Sequence, residues 1–315
     1  MQLRFVFFYD PAEMRYRPKH ILEYGALRTL GFLVRWMPHR MALGTGWVVA
    51  AISFFLIRFR VHAAQSRIRH VLGDDIPDRE IRRIAWISFR NLCFNVIEIL
   101  RMPRLTSKRI SAIAEVEDFH RLKELMGGKG AVLAVPHMGN WDMAGVAAEM
   151  MGIPVFFMAR RQKNPLVDAY LNRMRGVTGV ETIPTDSRSL RVILKNLKEG
   201  KAFAILPDVR ARTGGVPIRF FNGTAYLPPG MALFARHAGV PVIPAVLTRS
   251  GWTRHQWRMH DPIYPDPAQT KENDEVRMMQ EVMNLFDIAV RKQPEQYFWY
   301  NKRWILDPPD THQSA

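Results

Sequence analysis

AVLAVPHMGNWDMAGVAAEMMG, residues 131–152, decides the fold. Its first six residues form an apolar run of strand length that ends at Pro136, and Met143–Met151 then follows as a helix. His137 projects from the rim of that strand, and Gly139 permits a sharp turn. Asn140 can cap a helix beginning near Trp141, and Asp142 falls in its first turn. The turn can fold back so that the Asp142 carboxylate meets the His137 imidazole. A carboxylate on one ring nitrogen fixes the tautomer and stabilises the imidazolium, leaving the other nitrogen free as a base.

Working outward, the pattern repeats. PVFFMA (154–159) predicts a strand and Pro165–Val177 a helix; VETIP (180–184) a strand and Leu190–Glu199 a helix. KAFAILP (201–207) predicts a strand, Pro229–Ala238 a helix and VPVIPAVLT (240–248) a strand. WRMHDPIY (257–264) reads as an edge strand interrupted by proline, and Glu272–Arg291 as a long amphipathic helix. This alternation predicts an α/β fold: a mixed, largely parallel sheet flanked by helices. In such sheets, sites gather beyond the carboxyl ends of the strands. His137 stands there for the first strand and Asp208 for the fourth.

The first hundred residues read as helical throughout, with Ala63–Leu72 and Asp78–Leu100 broken at Gly-Asp-Asp-Ile-Pro, 73–77. Met41–Ile57 carries no charge over seventeen residues and is flanked by Arg40 and Arg58. That is the short end of a membrane span, and it is also what a buried helix looks like. Upstream, Leu27–Met37 is amphipathic and suits a membrane interface. The expected organisation is a helical, membrane-associating region over 1–125, an α/β core over 126–310 in one continuous folding unit, and a tail over 311–315. The opening MQLRFVFFYDPAEMRYRPKH does not read as a secretory signal, so the catalytic part is expected on the cytosolic side.

Lysine and arginine total 45 against 29 acidic residues, a net charge of +16, which points to an anionic partner. The basic residues are dispersed and no nucleic-acid motif appears, so nucleic acid is not the expected partner. The single cysteine, Cys93, lies in an apolar helix, and no Gly-x-Ser-x-Gly elbow is present. A base without a protein nucleophile suits direct activation of a substrate hydroxyl. His237 is expected to be satisfied in the core, and His255 and His260 lack a carboxylate at ligand spacing, so no metal is expected.

VPHMGNWD (135–142) resembles the first block of the glycerolipid acyltransferase superfamily, and more closely that of the bacterial lauroyl/myristoyl acyltransferases of lipid A biosynthesis. ARRQKNPLVDAYLNRMRG (159–176) is similar to the second block, LPDVRARTGGVPIRFFNGTAYLPPG (206–230) to the third, and PEQYFWYNKRW (294–304) to the C-terminal signature. The blocks come in the family's order over roughly 20–305. Two positions depart from it: many members of the branch carry glutamate where Asp142 stands, and Pro-Asp-Val-Arg replaces an Asp-x-Asp-type run.

The resemblance implies an O-acyltransferase without cofactors. Acyl carrier protein or CoA would supply a thioester as co-substrate, and the acceptor would be a lipid A precursor or related lipid. It implies His137 as general base, Asp142 as its orienting partner, and Arg160, Arg175 and Asp208 as substrate-binding residues. Acidic acyl carrier protein and an anionic membrane surface would be the partners, at the cytoplasmic face of a bacterial inner membrane. The alternatives are a lysophospholipid acceptor and, from another class, a non-catalytic lipid- or nucleic-acid-binding basic protein.

Overall fold

Strand β1 (Ala131–Ala134) is buried along its whole length in a six-stranded sheet. Parallel to it run β4 (Ala202–Ile205) on one side and β7 (Val242–Ser250) on the other. Outside β4 lie β2 (Val155–Ala159) and β3 (Glu181–Pro184), also parallel, and outside β7 lies the antiparallel β8 (Arg254–Met259). The sheet is thus mixed and largely parallel, in the order β3-β2-β4-β1-β7-β8. The computed structural model describes residues 17–113, 117–159, 162–184 and 189–310.

Helices α7 (Trp141–Met150), α8 (Pro165–Gly176), α9 (Ser189–Lys198), α10 (Gly230–Ala238) and α11 (Lys271–Lys292) flank the sheet. Local chemistry sets their starts. Asn140 caps α7, its side chain accepting from Met143 N at 3.0 Å, and Asn164 caps α8 ahead of Pro165. The expected edge strand over 257–264 is displaced: β8 begins at Arg254 and ends at Met259, and after Pro262 only Ile263 bridges back to Val242. A hairpin the sequence reading did not assign, β5 (Val216–Phe220) and β6 (Gly223–Leu227), turns on Phe221 and Asn222. Phe221 adopts φ 54°, a left-handed conformation that costs a non-glycine residue, and its ring stacks against Trp304 and Trp299. His237 is exposed and bonds the carbonyl of Leu233 one turn back, so the expected core position is not the one it takes.

The N-terminal helices are α1 (Pro18–Trp36), α2 (His39–Ala51) continued by a π-helical turn (Ile52–Leu56), α3 (Val61–Leu72) and α4 (Asp78–Arg101). A 3₁₀ turn (Met102–Arg104), α5 (Ser107–Ile113) and α6 (Glu117–Met126) lead into β1. Ile68 of α3 and Ile84 and Phe89 of α4 share one apolar cluster with Val132, Phe203 and Trp299. The stretch His39–Leu56 is long and apolar enough to cross a membrane by length and composition, and only 28% of it is buried within the protein. Trp47, Val48, Ile52, Phe55 and Leu56 are exposed on it, a large apolar patch of the kind that marks an interaction surface.

Candidate active site

The sheet register brings two chemical groups together. β1 and β4 pair Ala134 with Ile205, and both His137 and Asp208 lie three residues further on, at the carboxyl ends of adjacent parallel strands. His137 Nδ1 lies 2.8 Å from Asp208 Oδ1, and the main-chain N–H of His137 donates to Asp208 Oδ2 at 2.8 Å. A carboxylate can only accept, so the ring proton sits on Nδ1. That leaves Nε2 as an acceptor, and no described residue hydrogen-bonds it. Asp208 is wholly buried while the His137 side chain keeps 19% of its exposure, so the pair has a protein side and a substrate side. Trp141 lies edge-to-face against the imidazole at 5.1 Å, and Phe298 stands beyond Trp141.

Tyr297 completes the arrangement. Its buried phenol hydrogen-bonds Asp208, and burial, followed by the neighbouring Asp208 charge, holds its pKa well above the ordinary value. The hydroxyl therefore stays protonated and donates to Asp208. The C-terminal segment is held there by backbone pairing: Phe298 N donates to His137 O at 2.8 Å and Gly139 N to Gln296 O at 3.0 Å. Arg67 of α3 in turn donates to the carbonyls of Trp299 and Asn301, and Ser88 of α4 to that of Tyr297. Gly139 sits at φ 63°, and a Cβ there would lie 2.6 Å from the Leu247 carbonyl oxygen, so the loop passes too close to β7 for any side chain.

The expected pairing of His137 with Asp142 does not form. Asp142 Oδ1 accepts from Arg175 Nε at 2.8 Å, which ties the first turn of α7 to the last turn of α8. The reason lies in the cap. Asn140 Nδ2 donates to Glu98 Oε2 at 2.6 Å while its Oδ1 starts α7, and this fixes the helix with Asp142 towards α8. The imidazole is met instead by the neighbouring strand end. Arg175 is part-buried, with its guanidinium 5.6 Å from the Phe157 ring, whereas Arg173 is exposed. Arg160 lies outside the described residues.

Beneath the loop is a buried network that sequence reasoning missed. Glu98 of α4 is paired with Arg249 of β7, both essentially inaccessible. His255 and His39 approach Glu98 Oε1 at 3.2 and 3.3 Å. Arg249 also donates to Asn95 Oδ1, and Asn95 Nδ2 to Gly139 O, each at 2.7 Å. Burial alone would push the Glu98 carboxyl up, but Arg249 and His255 outweigh it and hold it well below the usual carboxylate range. His255 itself is lowered by burial, against the opposing pull of Glu98. The one signal in the sequence was Glu98 itself, a lone carboxylate inside the apolar run FNVIEIL. Cys93, one turn earlier on the same helix, has its thiol pushed up to about 11 by burial, which leaves it a poor nucleophile.

A histidine with one free nitrogen, oriented by a buried carboxylate at the end of a parallel strand and lacking a paired nucleophile, suits proton abstraction from a hydroxyl. Comparison with known proteins gives the same class. Residues 18–305 match the family described as bacterial lipid A biosynthesis acyltransferase. The chain is 26% identical over 302 residues to a phosphatidylinositol mannoside acyltransferase of Mycolicibacterium smegmatis, covering 92% of this chain and 95% of that one. It is 22% identical over 226 residues to its namesake in Mycobacterium tuberculosis, covering 69% of each. A lipid A biosynthesis acyltransferase of Haemophilus influenzae is 26% identical over 178 residues, 55% of this chain and 52% of that one. With nearly its whole length matched, the chain belongs to the bacterial lipid A biosynthesis acyltransferase family and is an acyltransferase that acts on lipids.

Proposed function

We propose that this protein moves a fatty acyl group from an acyl carrier protein or CoA thioester to a hydroxyl of a lipid A precursor or related lipid, with His137 as general base. The observation that carries this reading is the Nδ1 bond from His137 to buried Asp208, which leaves Nε2 open. Nε2 takes the proton of the acceptor hydroxyl as its oxygen attacks the thioester carbonyl. The tetrahedral intermediate collapses by breaking the carbon–sulfur bond, and His137 returns the proton to the departing thiolate. Asp208 stabilises the imidazolium formed in between, and Tyr297 holds Asp208. Asp142 positions Arg175, whose remaining N–H groups, with those of Arg160, would meet anionic groups of the substrates. Trp141 and Phe298 supply apolar wall for the acyl chain.

In this role the protein would work at the cytoplasmic face of a bacterial inner membrane, with the exposed apolar face of α1, α2 and the π-helical turn in the bilayer. Its net charge of +16 favours both an anionic leaflet and an acidic carrier protein. The test is acyl transfer by membranes containing the protein, given labelled acyl carrier protein thioesters. A lipid A precursor, a phosphatidylinositol mannoside and a lysophospholipid are offered side by side. Label entering the lipid A precursor or the mannoside, and absent with His137→Ala, supports the proposal. Label entering lysophospholipid alone would move the acceptor to the glycerolipid class. Undiminished transfer by His137→Ala would remove His137 as the base.

A further inference from the structure

A cavity of about 510 Å³ opens between the end of α1, the end of α4, the 3₁₀ turn and α5, and none of its lining residues is His137, Asp208 or Tyr297. Four arginines converge on it: Arg35, Arg101, Arg104 and Arg109. Among the described residues none of the four is in an ion pair with a carboxylate. Arg101 donates to the carbonyls of Val34 and Met37, Arg104 to Arg35 O, and Arg109 to Arg104 O. Among the described residues Arg35 makes only a 3.5 Å contact with the Met174 sulfur, and its buried Nε finds no partner there. Glu98 forms part of the wall, but its oxygens are taken by Arg249, Asn140, His255 and His39. Among the described residues the guanidinium groups at the cavity thus outnumber its one carboxylate, and Arg101 is lowered by burial and then by Arg104 and Arg109, with Glu98 acting in the opposite direction.

Gathering four guanidinium groups around one carboxylate that is already paired elsewhere is costly unless an anion completes the set, and forked guanidinium donors match phosphate oxygens. Apart from Glu98 and His39, the rest of the lining is apolar and includes Trp36, Met37, Leu105, Ile113 and Met143. Trp36, 68% exposed, continues onto the exposed apolar face carrying Phe32, Leu33 and Met41. We infer that this cavity binds the phosphate of a membrane phospholipid, with the guanidinium groups on the headgroup and the apolar wall along the start of its chains. Such binding is independent of the acyl-transfer reading and would hold the N-terminal helices at the leaflet beside the active site.

The experiment titrates the full-length protein in dodecyl maltoside with dihexanoyl phosphatidylglycerol, inorganic phosphate and dihexanoylglycerol, by calorimetry. Wild type is expected to bind the phosphatidylglycerol at least tenfold more tightly than either of the others, since each lacks one half of the match. Arg35→Gln/Arg109→Gln is expected to weaken phosphatidylglycerol at least tenfold, and Arg35→Lys by less. A diffuse attraction of a +16 chain for anionic lipid would survive the loss of two charges, so an unchanged affinity in the double variant overturns the site. Equal affinity for inorganic phosphate would make it a free-phosphate site, and equal affinity for dihexanoylglycerol would make the arginines idle; either overturns the assignment. Should the variants not fold, a photoreactive phosphatidylglycerol is applied to wild type. Labelling of Trp36–Pro38 and Leu105 supports the site, and labelling confined elsewhere overturns it.

Discussion

Asp208→Asn separates the observed geometry from the one the local sequence suggests. Asp208 is wholly buried and receives three donors: the His137 main-chain N–H, the His137 ring at 2.8 Å and the Tyr297 hydroxyl. Asparagine offers one carbonyl oxygen, so at least one of these donors would face an NH₂ group. The larger effect is electrostatic. When His137 takes a proton, imidazolium and carboxylate charge centres stand about 4 Å apart, worth about 4 kcal/mol at an effective dielectric of 20. At about 1.4 kcal/mol per decade, kcat should fall roughly a thousandfold. Asp142→Asn loses only the charge on a part-buried pair with Arg175, worth about 1 kcal/mol, and should cost tenfold or less. The assay is the initial rate of acyl transfer from a labelled thioester, with thermal unfolding of each variant to show an intact fold. An Asp208→Asn enzyme within tenfold of wild type, or an Asp142→Asn enzyme more impaired than Asp208→Asn, would refute the assignment.

Tyr297→Phe removes one neutral donor from Asp208 and should lower kcat by about threefold to tenfold, measured in the same assay. Glu98→Gln leaves Arg249 buried without its counter-charge and should destabilise the protein by about 3–5 kcal/mol, read as a drop in Tm on the order of 10 °C. The Glu98 carboxyl is held below its ordinary value, so the folded state binds fewer protons than the unfolded one. Its contribution is complete above the unfolded pKa of about 4.3 and is lost as pH falls through the lower folded value. The Tm gap between wild type and Glu98→Gln should therefore narrow in acid. Phe55→Asp/Leu56→Asp places two charges on the exposed apolar face and should shift the protein from the bound to the free fraction in vesicle flotation.

The sheet was legible because strands buried on both faces leave unbroken apolar runs, and AVLAVP and VPVIPAVLT carry that mark plainly. The hairpin at 216–227 was not, since its strands alternate in exposure over only five residues each and the turn before Gly223 puts Phe221, not a glycine, in the left-handed position. His137 and Asp208 were both legible as strand-end residues, but their contact was not. It depends on β4 inserting beside β1, a pairing across 71 residues that no local spacing encodes. Asp142 lay close in sequence and drew the imidazole's expected partner to itself, while Arg175, 33 residues away, is what it meets. The same holds for Tyr297, whose aromatic surroundings read as core. It is core, and its one polar atom reaches the site.

The central claim is that His137 activates the acceptor for direct attack, with no acyl group passing through the protein. The measurement that tests it most directly mixes purified enzyme with an acyl carrier protein thioester, with and without acceptor lipid, and follows thiol release and the intact protein mass together. Thiol release is expected only when acceptor is present, is lost in His137→Ala, and comes with no gain in protein mass at any time. A stoichiometric burst of thiol without acceptor, matched by one acyl chain added to the protein, would contradict it.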